Sequence, residues 1–204
     1  MSDIVDYPEI YFKRFIPSRD ALLKKLEKEA QREEIPIVGP VVGELLFILA
    51  RTAQAKRILE LGTATGYSTI FLARACECFK GSVLTIENDG VMAARARMNI
   101  KKAGLEKTIE IRQAEALKEI IELDGIFDFV FIDIEKADYI RTLPHCERLL
   151  KKGGLLVADN VGFKDADDFN RAVSSGLHWR AVSVFAFWPL HSPENDGICI
   201  AMRT

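Results

Sequence analysis

The chain has 204 residues, of which 49% are hydrophobic and 28% are charged, and its formal net charge is -2 at pH 7. These values are typical of a globular protein with a buried core, and they argue against a nucleic-acid or anionic-membrane partner. The sequence contains no apolar run long enough to span a bilayer, and it begins without the features of a signal peptide. We therefore expect one domain over residues 1–204, located in the cytoplasm and without a membrane partner.

Residues 1–56 are expected to form an N-terminal arm and two helices that cover the ligand-binding site of the domain. The arm, residues 1–17, is rich in aromatic side chains and is interrupted by two prolines. Ser18 can cap the first helix, whose apolar residues recur at helical spacing. The segment 35–43 contains two prolines and two glycines, which predict a break before a more apolar helix that runs to about Ala53.

From residue 57 onward, short apolar runs alternate with segments of helical periodicity. Five such strand–helix units in series predict a parallel sheet with helices on both faces. After them, two further strands with a long loop between them indicate a closing hairpin. The strands are predicted at 57–61, 82–87, 108–112, 127–133 and 154–158, with the hairpin strands at 180–187 and 198–202. The helices are predicted near 66–79, 90–103, 115–123, 136–151 and 165–175.

The first of these units has a glycine-rich turn between a buried strand and a helix. Gly62 and Gly66 follow the apolar run directly, and such a turn lets the backbone approach a ligand closely. The spacing is not the G-x-G-x-x-G of dinucleotide-binding proteins. Glu60 precedes the turn, where a carboxylate would repel a pyrophosphate but would suit a ligand that carries an ammonium group. These features favour S-adenosylmethionine over NAD.

Polar side chains also follow the later strands, and ligands of open parallel sheets bind beyond the carboxyl ends of the strands. Glu87 ends the second strand, where a carboxylate can accept hydrogen bonds from both ribose hydroxyls. Asp133 ends the fourth strand and the pair Asp159 and Asn160 ends the fifth, so three oxygen ligands converge if these strands are neighbours. This set suits a hard divalent cation, with Mg²⁺ favoured and Ca²⁺ or Mn²⁺ as alternatives. The competing interpretation is that both aspartates merely cap the segments that follow.

Lys136 lies three residues after Asp133, an offset that can bring both side chains to the same edge of the sheet. A bound divalent cation disfavours a neighbouring ammonium, so Lys136 could act as a base near neutral pH. The cation would also acidify a hydroxyl bound to it. The pattern thus predicts deprotonation of a chelated hydroxyl beside a sulfonium methyl donor, followed by in-line transfer. A solvated surface lysine is the competing interpretation.

These motifs resemble the cation-dependent O-methyltransferases, the family that contains catechol and caffeoyl-CoA O-methyltransferases. The resemblance runs from about Arg19 to Arg203. The matching stretches are Glu60–Ser68, Glu87, Phe131–Lys136 with Tyr139, and Ala158–Asn160. The resemblance implies an α/β, Rossmann-like class I methyltransferase fold. Its seven-stranded sheet is mostly parallel with an antiparallel C-terminal strand, and helices cover both faces. A homodimer is also expected from the family.

The resemblance further implies a role for each matching residue. Asp133, Asp159 and Asn160 would hold the metal, and Lys136 would be the catalytic base, with Asp133 beside it. Glu87 would bind the ribose, whereas Glu115 and the Ala116 backbone would face the adenine. The implied contacts with S-adenosylmethionine are Glu60, Gly62, Thr63, Gly66, Tyr67, Ser68, Glu87, Glu115, Ala116 and Asp133.

Several stretches depart from the pattern of many family members. Ala114–Ala116 stands where relatives often have Gly-Asp-Ala, and Val161–Phe163 replaces a bulkier Val-Leu-Trp, so the acceptor wall is expected to differ. The loop 188–196 is longer and more polar than usual and lies where such enzymes shape the acceptor pocket. His191 or Glu194 in this loop could contact the substrate, although an exposed loop histidine is the commoner case.

The sequence therefore predicts a metal-dependent O-methyltransferase that uses S-adenosylmethionine and acts on a small phenolic substrate with two adjacent hydroxyls, such as a catechol or a caffeoyl-like phenol. Two alternatives remain. The first is methylation of a hydroxylated uridine in tRNA, against which the acidic charge balance argues. The second is a binding module without catalysis, against which the intact Asp133, Lys136, Asp159 and Asn160 argue.

Overall fold

The computed structural model describes residues 4–204 and contains a seven-stranded sheet in the order β3-β2-β1-β4-β5-β7-β6. Strands β1 to β5 pair in parallel, whereas β7 runs antiparallel to both β5 and β6. The strands are β1 Arg57–Leu61, β2 Ser82–Glu87, β3 Ile109–Gln113, β4 Phe127–Ile132, β5 Leu150–Ala158, β6 Trp179–Phe187 and β7 Asn195–Arg203. The predicted fold class, a mostly parallel sheet with an antiparallel C-terminal strand, is confirmed.

Helices cover both faces of the sheet, because alternate side chains of each central strand enter two separate apolar cores. The helices are α1 Pro8–Lys13, α2 Ala21–Glu33, α3 Gly39–Thr52, α4 Tyr67–Glu77, α5 Gly90–Ala103, α6 Ala116–Glu122, α7 Tyr139–Leu149 and α8 Asp167–Ser175. Ile58 and Phe129 belong to the core under α2, α3 and α4, whereas Leu59 and Val130 belong to the core under α6, α7 and α8. Short 3-10 turns at Lys136–Asp138 and Lys164–Ala166 precede α7 and α8.

Several element boundaries differ from the sequence-based expectation, among them those of α2, α3 and β5. Helix α2 is capped by Asp20, whose side chain accepts a hydrogen bond from the Leu23 amide at 2.8 Å, and not by Ser18. Helix α3 begins at Gly39, within the expected break, because a proline in the first helical turn gives up no intrahelical hydrogen bond. Strand β5 begins at Leu150, four residues before the predicted start. Its first residues pair irregularly with β4, and their polar character does not indicate a buried strand.

The N-terminal arm forms the short helix α1, and its large side chains are exposed. Ile10 is 68% exposed, Phe12 is 55% exposed and Phe15 is 61% exposed, so the arm contributes little to the apolar cores. The first three residues of the expected arm lie outside the described part of the chain. The homodimer stays a prediction. Within residues 4–204, the structure contains no helix with the length and apolar character needed to cross a bilayer.

The central strands end level with one another at the carboxyl edge of the sheet. The register pairs Leu61 with Ile132, and Ile132 with Ala158. The pairing continues past the strands, since the Asp133 amide donates to the Leu61 carbonyl at 2.8 Å and the Asp159 amide donates to the Ile132 carbonyl at 3.0 Å. The first residues after β4 and β5 are therefore held side by side.

Gly62 allows the turn after β1 to lie directly against the end of β4. Its φ of +97° is a conformation that residues with a side chain rarely adopt. A Cβ atom at this position would lie 1.9 Å from the carbonyl oxygen of Asp133. The absence of a side chain at Gly62 thus sets the distance between the glycine-rich turn and the strand end that carries Asp133.

Glu60 is a carboxylate inside the apolar part of β1, with none of its surface exposed. The hydroxyls of Ser68 and Thr69, in the first turn of α4, donate to its two carboxylate oxygens at 2.6 and 2.5 Å. Burial, and to a smaller extent the charge of Asp133, raise the pKa of Glu60 to about 7, against the effect of these hydrogen bonds. Glu60 therefore joins α4 to β1 through hydrogen bonds, although burial of its carboxylate is itself unfavourable.

Replacing Gly62 by alanine should destabilise the protein far more than the same change at Gly104. Both glycines have positive φ values, +97° and +71°, so both variants carry a backbone cost of about 1 kcal/mol. A Cβ atom at Gly104 has no neighbour within 4 Å, whereas Gly62→Ala adds a steric clash worth about 1–3 kcal/mol or more. Urea unfolding of the two variants measures the difference, and equal losses would show that the turn can move away from Asp133.

Glu60 should make the free energy of unfolding fall as the pH rises from about 5 to 7. The pKa is near 4.5 in the unfolded chain and about 7 in the folded one, so between these values only the folded state holds the proton. The lost stability is on the order of 3 kcal/mol. Urea unfolding of wild type and Glu60→Gln, compared between pH 5 and pH 8, measures it. Parallel pH profiles for the two proteins would contradict the burial of an ionisable Glu60.

Candidate functional site

Most of the side chains singled out in the sequence line one cleft of about 360 Å³ at the carboxyl edge of the sheet, called here the strand-end cleft. A smaller cavity of about 80 Å³ adjoins it along the glycine-rich turn and is lined by Thr63, Tyr67 and Ser68. The predicted site residues that line the strand-end cleft are Gly62, Glu87, Glu115, Ala116, Asp133, Lys136, Asp159 and Asn160.

Two predicted cofactor contacts lie behind the cleft wall. Glu60 is fully buried beneath Ser68, so it reaches the small cavity only through the hydroxyl of that serine. Gly66 immediately precedes α4 with a φ of +84°, and a Cβ atom there would lie 3.4 Å from the Cβ atom of Ala96 in α5. Both residues shape the turn that borders the cleft. A direct contact of either with a ligand stays a prediction.

Glu87 is held at the cleft by hydrogen bonds from backbone amides. One carboxylate oxygen accepts from the amides of Thr63 and Ala64 at 3.2 and 2.7 Å, and the other accepts from the Asp89 amide at 2.9 Å. Because each carboxylate oxygen can accept more than one hydrogen bond, Glu87 can still bind hydroxyl groups from the cleft. These bonds also fix the glycine-rich turn to the end of β2.

The helix α2 is joined to the turn through Tyr67. The Tyr67 hydroxyl donates to Glu27 at 2.7 Å, and Arg19 donates two hydrogen bonds of 2.9 Å to the same carboxylate. Burial and the neighbouring Glu27 raise the pKa of Tyr67 far above its usual value, so the hydroxyl keeps its proton. The side chain of Tyr67 therefore forms a wall of the small cavity, while its hydroxyl points toward α2.

Glu115 and Ala116 lie on the far side of the strand-end cleft, at the start of α6. The Glu115 side chain is 51% exposed and forms an ion pair of 2.6 Å with Lys118. Ala116 is the first residue of α6. Both border the cleft as the sequence predicts, although their role toward an adenine ring stays a prediction.

Lys136 and Asp133 face each other within the cleft. The Lys136 ammonium donates to Asp133 Oδ1 at 2.9 Å and to the Ile134 carbonyl at 3.0 Å. The lysine side chain is 20% exposed and the aspartate side chain is 27% exposed. The 3-10 turn that starts at Lys136 returns the side chain to the strand end. Lys136 is therefore directed into the cleft and is not a solvated surface lysine.

Tyr139 contacts the ends of both β4 and β5. Its buried hydroxyl lies 3.3 Å from the Ile132 carbonyl and 3.0 Å from the Asp159 carbonyl. Burial, together with the charges of Asp133 and Asp159, raises the pKa of Tyr139 well above its usual value. The neutral phenol therefore remains a donor to the two strand ends that carry the predicted metal ligands.

Asp159 is buried and is paired with His191 from the loop between β6 and β7. The His191 Nε2 atom lies 3.0 and 2.9 Å from the two carboxylate oxygens, and the histidine side chain has no exposed surface. Burial raises the pKa of Asp159 against the hydrogen bond from His191, and the charge of Asp133 raises it further. Burial alone would lower the pKa of His191, but Asp159 raises it overall. The expectation of an exposed loop histidine is wrong.

Asn160 is oriented by Asp196, a buried residue that the sequence analysis did not single out. The Asn160 Nδ2 atom donates to Asp196 at 2.6 Å and to the Ser192 carbonyl at 3.1 Å. Both amide hydrogens are thereby used, which leaves the amide oxygen as the atom that can bind a ligand. Asp196 also accepts from the Gly162 and Gly197 amides at 3.0 and 2.6 Å. Backbone partners of this kind leave no pattern in a sequence.

The predicted metal ligands Asp133, Asp159 and Asn160 all line the strand-end cleft. Among residues 4–204, no three His, Cys, Asp or Glu side chains are gathered into a metal-binding group. Instead, Asp133 is paired with Lys136 and Asp159 is paired with His191. Each strand-end carboxylate thus has a nitrogen-bearing side chain of the protein beside it.

The sequence is similar to those of known O-methyltransferases. Residues 17–172 match the family model described as O-methyltransferase. A catechol O-methyltransferase of Niastella koreensis is 42% identical over 147 residues, which are 70% of this chain and 66% of that protein. A catechol O-methyltransferase of Mycobacterium tuberculosis is 39% identical over 120 residues, which are 58% of this chain and 54% of that protein. The chain thus spans less than two thirds of the length of either relative.

Solved structures resemble nearly the whole chain. The O-methyltransferase TomG of Streptomyces achromogenes, solved in complex with SAM, superposes with a TM-score of 0.86 at 29% identity, covering 97% of this chain and 96% of that chain. An O-methyltransferase of Bacillus cereus, solved in complex with SAH, has a TM-score of 0.84 at 26% identity and covers 97% of each chain. Since the family model matches well over half of the sequence, the chain belongs to the O-methyltransferase family.

Proposed function

We propose that the protein transfers a methyl group from S-adenosylmethionine to one hydroxyl of a small aromatic vicinal diol, such as a catechol or a caffeoyl-like phenol, with the help of a divalent cation. The observation that carries the proposal is the meeting of Glu87, Asp133, Lys136, Asp159 and Asn160 in one cleft. This cleft joins the groups needed to bind a nucleoside, to hold a cation and to remove a proton.

The turn side of the cleft suits S-adenosylmethionine. Glu87 offers a fixed carboxylate to the ribose hydroxyls, at the strand end where nucleoside-binding α/β proteins commonly place one. Gly62 allows close approach of the backbone, and the acidic surroundings favour the positive charges of the sulfonium and the ammonium group. The structure of TomG, which is 29% identical to this chain, was solved in complex with SAM. These observations support S-adenosylmethionine as the methyl donor.

The residues at the other side of the cleft fit a hard divalent cation. Asp133 and Asp159 follow paired positions of neighbouring strands, and Asn160 has its amide oxygen left for a ligand. Burial, and then the charge of Asp133, raise the pKa of Asp159, so a cation between the two carboxylates would relieve an existing repulsion. Oxygen ligands of this kind favour Mg²⁺, with Mn²⁺ and Ca²⁺ as alternatives. A bound cation supplies stabilisation of negative charge on the acceptor oxygen.

Lys136 is the group that we assign to proton removal. Its Nζ atom lies inside the cleft, where Asp133 and the Ile134 carbonyl hold it at 2.9 and 3.0 Å. The ammonium has to lose a proton and release Asp133 before the amine can accept the proton of an acceptor hydroxyl. The short 3-10 turn at Lys136–Asp138 directs the side chain back toward the end of β4.

The proposed reaction is a direct displacement. The acceptor hydroxyl gives its proton to Lys136, and its oxygen forms a bond to the methyl carbon while the bond between that carbon and the sulfonium sulfur breaks. The products are a methyl ether and S-adenosylhomocysteine, and Lys136 then returns the proton to solvent. The protein contributes by holding both reactants in line.

A larger cavity of about 560 Å³ offers room for the acceptor. It lies between α2 and the loop 188–197 and meets the strand-end cleft at Ile37 and Ser192. Ile35, Ile37 and Leu190 form the apolar part of its wall. We assign the aromatic ring to this part, with the two hydroxyls toward the strand ends. The names of the catechol O-methyltransferases that resemble the chain support a diol of this size.

Methyl transfer to a catechol should require both Lys136 and a divalent cation. We expect Lys136→Ala to lower kcat/KM by about 10²–10⁴-fold, because a positioned base contributes this much to the rate. Removal of metal with EDTA should reduce turnover to background, and added Mg²⁺ should restore it. Both effects are measured with labelled S-adenosylmethionine and a panel of catechols.

The matched control is Lys107→Ala, since Lys107 is exposed and lies just before β3, at the opposite edge of the sheet. This variant should turn over at the wild-type rate. Full activity of Lys136→Ala in the presence of Mg²⁺ would exclude Lys136 as the base. If the protein binds the methyl donor but methylates no diol with any divalent metal, the proposal of a small phenolic acceptor is wrong. A hydroxylated uridine in tRNA would then be the favoured acceptor.

A further inference from the structure

The larger cavity, which we assign to the acceptor, is lined by two lysine side chains that the proposed reaction leaves unused. Lys24 and Lys28 are one helical turn apart on α2, and both border this cavity. Within residues 4–204, neither of them forms an ion pair with a carboxylate. Like charges at this spacing on a helix repel each other. An anion bound beside both lysines would relieve the repulsion.

The other two basic side chains of α2 are paired and lie outside the cavity. Lys25 forms an ion pair of 3.6 Å with Glu29, and Arg32 forms one of 2.6 Å with Glu33. Neither of these basic residues borders the cavity. The helix therefore neutralises its cations with its own carboxylates, except for the two that line the cavity.

Most of the other charged side chains in the cavity wall are compensated within the protein. Arg19 donates two hydrogen bonds of 2.9 Å to Glu27, and Glu194 pairs with Lys13 at 3.3 Å. Glu34, directly after α2, is a further carboxylate of the wall and forms no ion pair with another described residue. The charged groups of the wall without an ion pair are thus two ammonium groups and one carboxylate, a net positive charge.

The two lysines lie at a distance from the acidic strand ends. Because a helix rises about 1.5 Å per residue, Lys28 is about 7–8 Å and Lys24 about 13–14 Å along the axis from Glu33, where α2 ends. The chain then continues to Ile35 and Ile37, and the cavity meets the strand-end cleft at Ile37. An acceptor with its hydroxyls at the strand ends and its ring on the isoleucines could therefore extend a side chain toward the lysines.

We propose that the acceptor is an aromatic vicinal diol whose ring carries a carboxylate on a short side chain, and that Lys24 and Lys28 bind this carboxylate. The inference rests on the proposed function and names the class of diol within it. The cavity volume of about 560 Å³ is in the range of sites that hold ligands larger than a bare catechol. The flexible lysine side chains can bring both ammonium groups to one carboxylate. Charge complementarity of this kind selects among diols that are otherwise alike.

The test compares two acceptors that differ in one charge, caffeate and its neutral methyl ester, with labelled S-adenosylmethionine and Mg²⁺. Wild type should methylate the acid with a kcat/KM about tenfold higher than that of the ester, because two partly exposed ion pairs contribute about this much. The preference should decrease at high salt. In Lys24→Gln/Lys28→Gln, the ratio of the two kcat/KM values should fall to about one.

The matched control is Lys25→Gln/Arg32→Gln, which removes two positive charges from the same helix outside the cavity. This variant should keep the ratio of wild type, and Lys24→Arg/Lys28→Arg should keep it as well, since both charges remain. All six substitutions are at exposed positions, so the variants should fold.

The possible failures of this inference and of the proposed function differ. Equal kcat/KM values for acid and ester in wild type would overturn the preference for a carboxylate and leave the proposed function intact. A preference that persists in Lys24→Gln/Lys28→Gln would overturn the role of the two lysines. If wild type methylates neither of these diols nor any other, the proposed function is wrong, and this inference fails with it.

Discussion

The concentration of carboxylate groups at one edge of the sheet is the constraint on which the rest of the site depends. Glu60 lies one residue before the end of β1, and Asp133 and Asp159 directly follow the neighbouring strands β4 and β5. The charge of Asp133 raises the pKa of both Glu60 and Asp159. Buried carboxylates that repel one another are costly unless a positive group compensates them. The protein itself provides Lys136 and His191 at this edge. The same requirement would favour ligands that bring positive charge, such as a sulfonium, an ammonium or a divalent cation.

The sheet can hold Asp133 and Asp159 close together because its apolar interior does not include these two side chains. Strands β1 and β4 send alternate side chains into two separate cores, and the register between β4 and β5 ends with Ile132 beside Ala158. Only the next residue on each strand is an aspartate, held by a backbone hydrogen bond to the neighbouring strand. Burial of apolar side chains thus stabilises the strands, while the aspartates that directly follow β4 and β5 are available to bind ligands.

The strands and the strand-end residues could be predicted because their signals are local. An apolar run followed by Gly62 or Asp133 is visible in the sequence, and the parallel topology then brings such ends together. Two cleft features had no such signal. His191 is buried because Gly39 lets a distant loop pack on α3, and Asp196 binds mainly backbone amides. Contacts of this kind depend on tertiary packing. The roles of the site residues in binding and catalysis, the dimer and the cytoplasmic location stay predictions.

The most direct test of a site built for positive ligands is a crystal structure grown with S-adenosylhomocysteine, a catechol and Mn²⁺, with anomalous diffraction recorded at the manganese edge. We expect one anomalous peak, from a Mn²⁺ ion that is bound by Asp133, Asp159 and Asn160. The ribose of S-adenosylhomocysteine should be hydrogen-bonded to Glu87. An ordered S-adenosylhomocysteine in the cleft without an anomalous peak at the aspartates, or a peak elsewhere on the protein, would contradict this account.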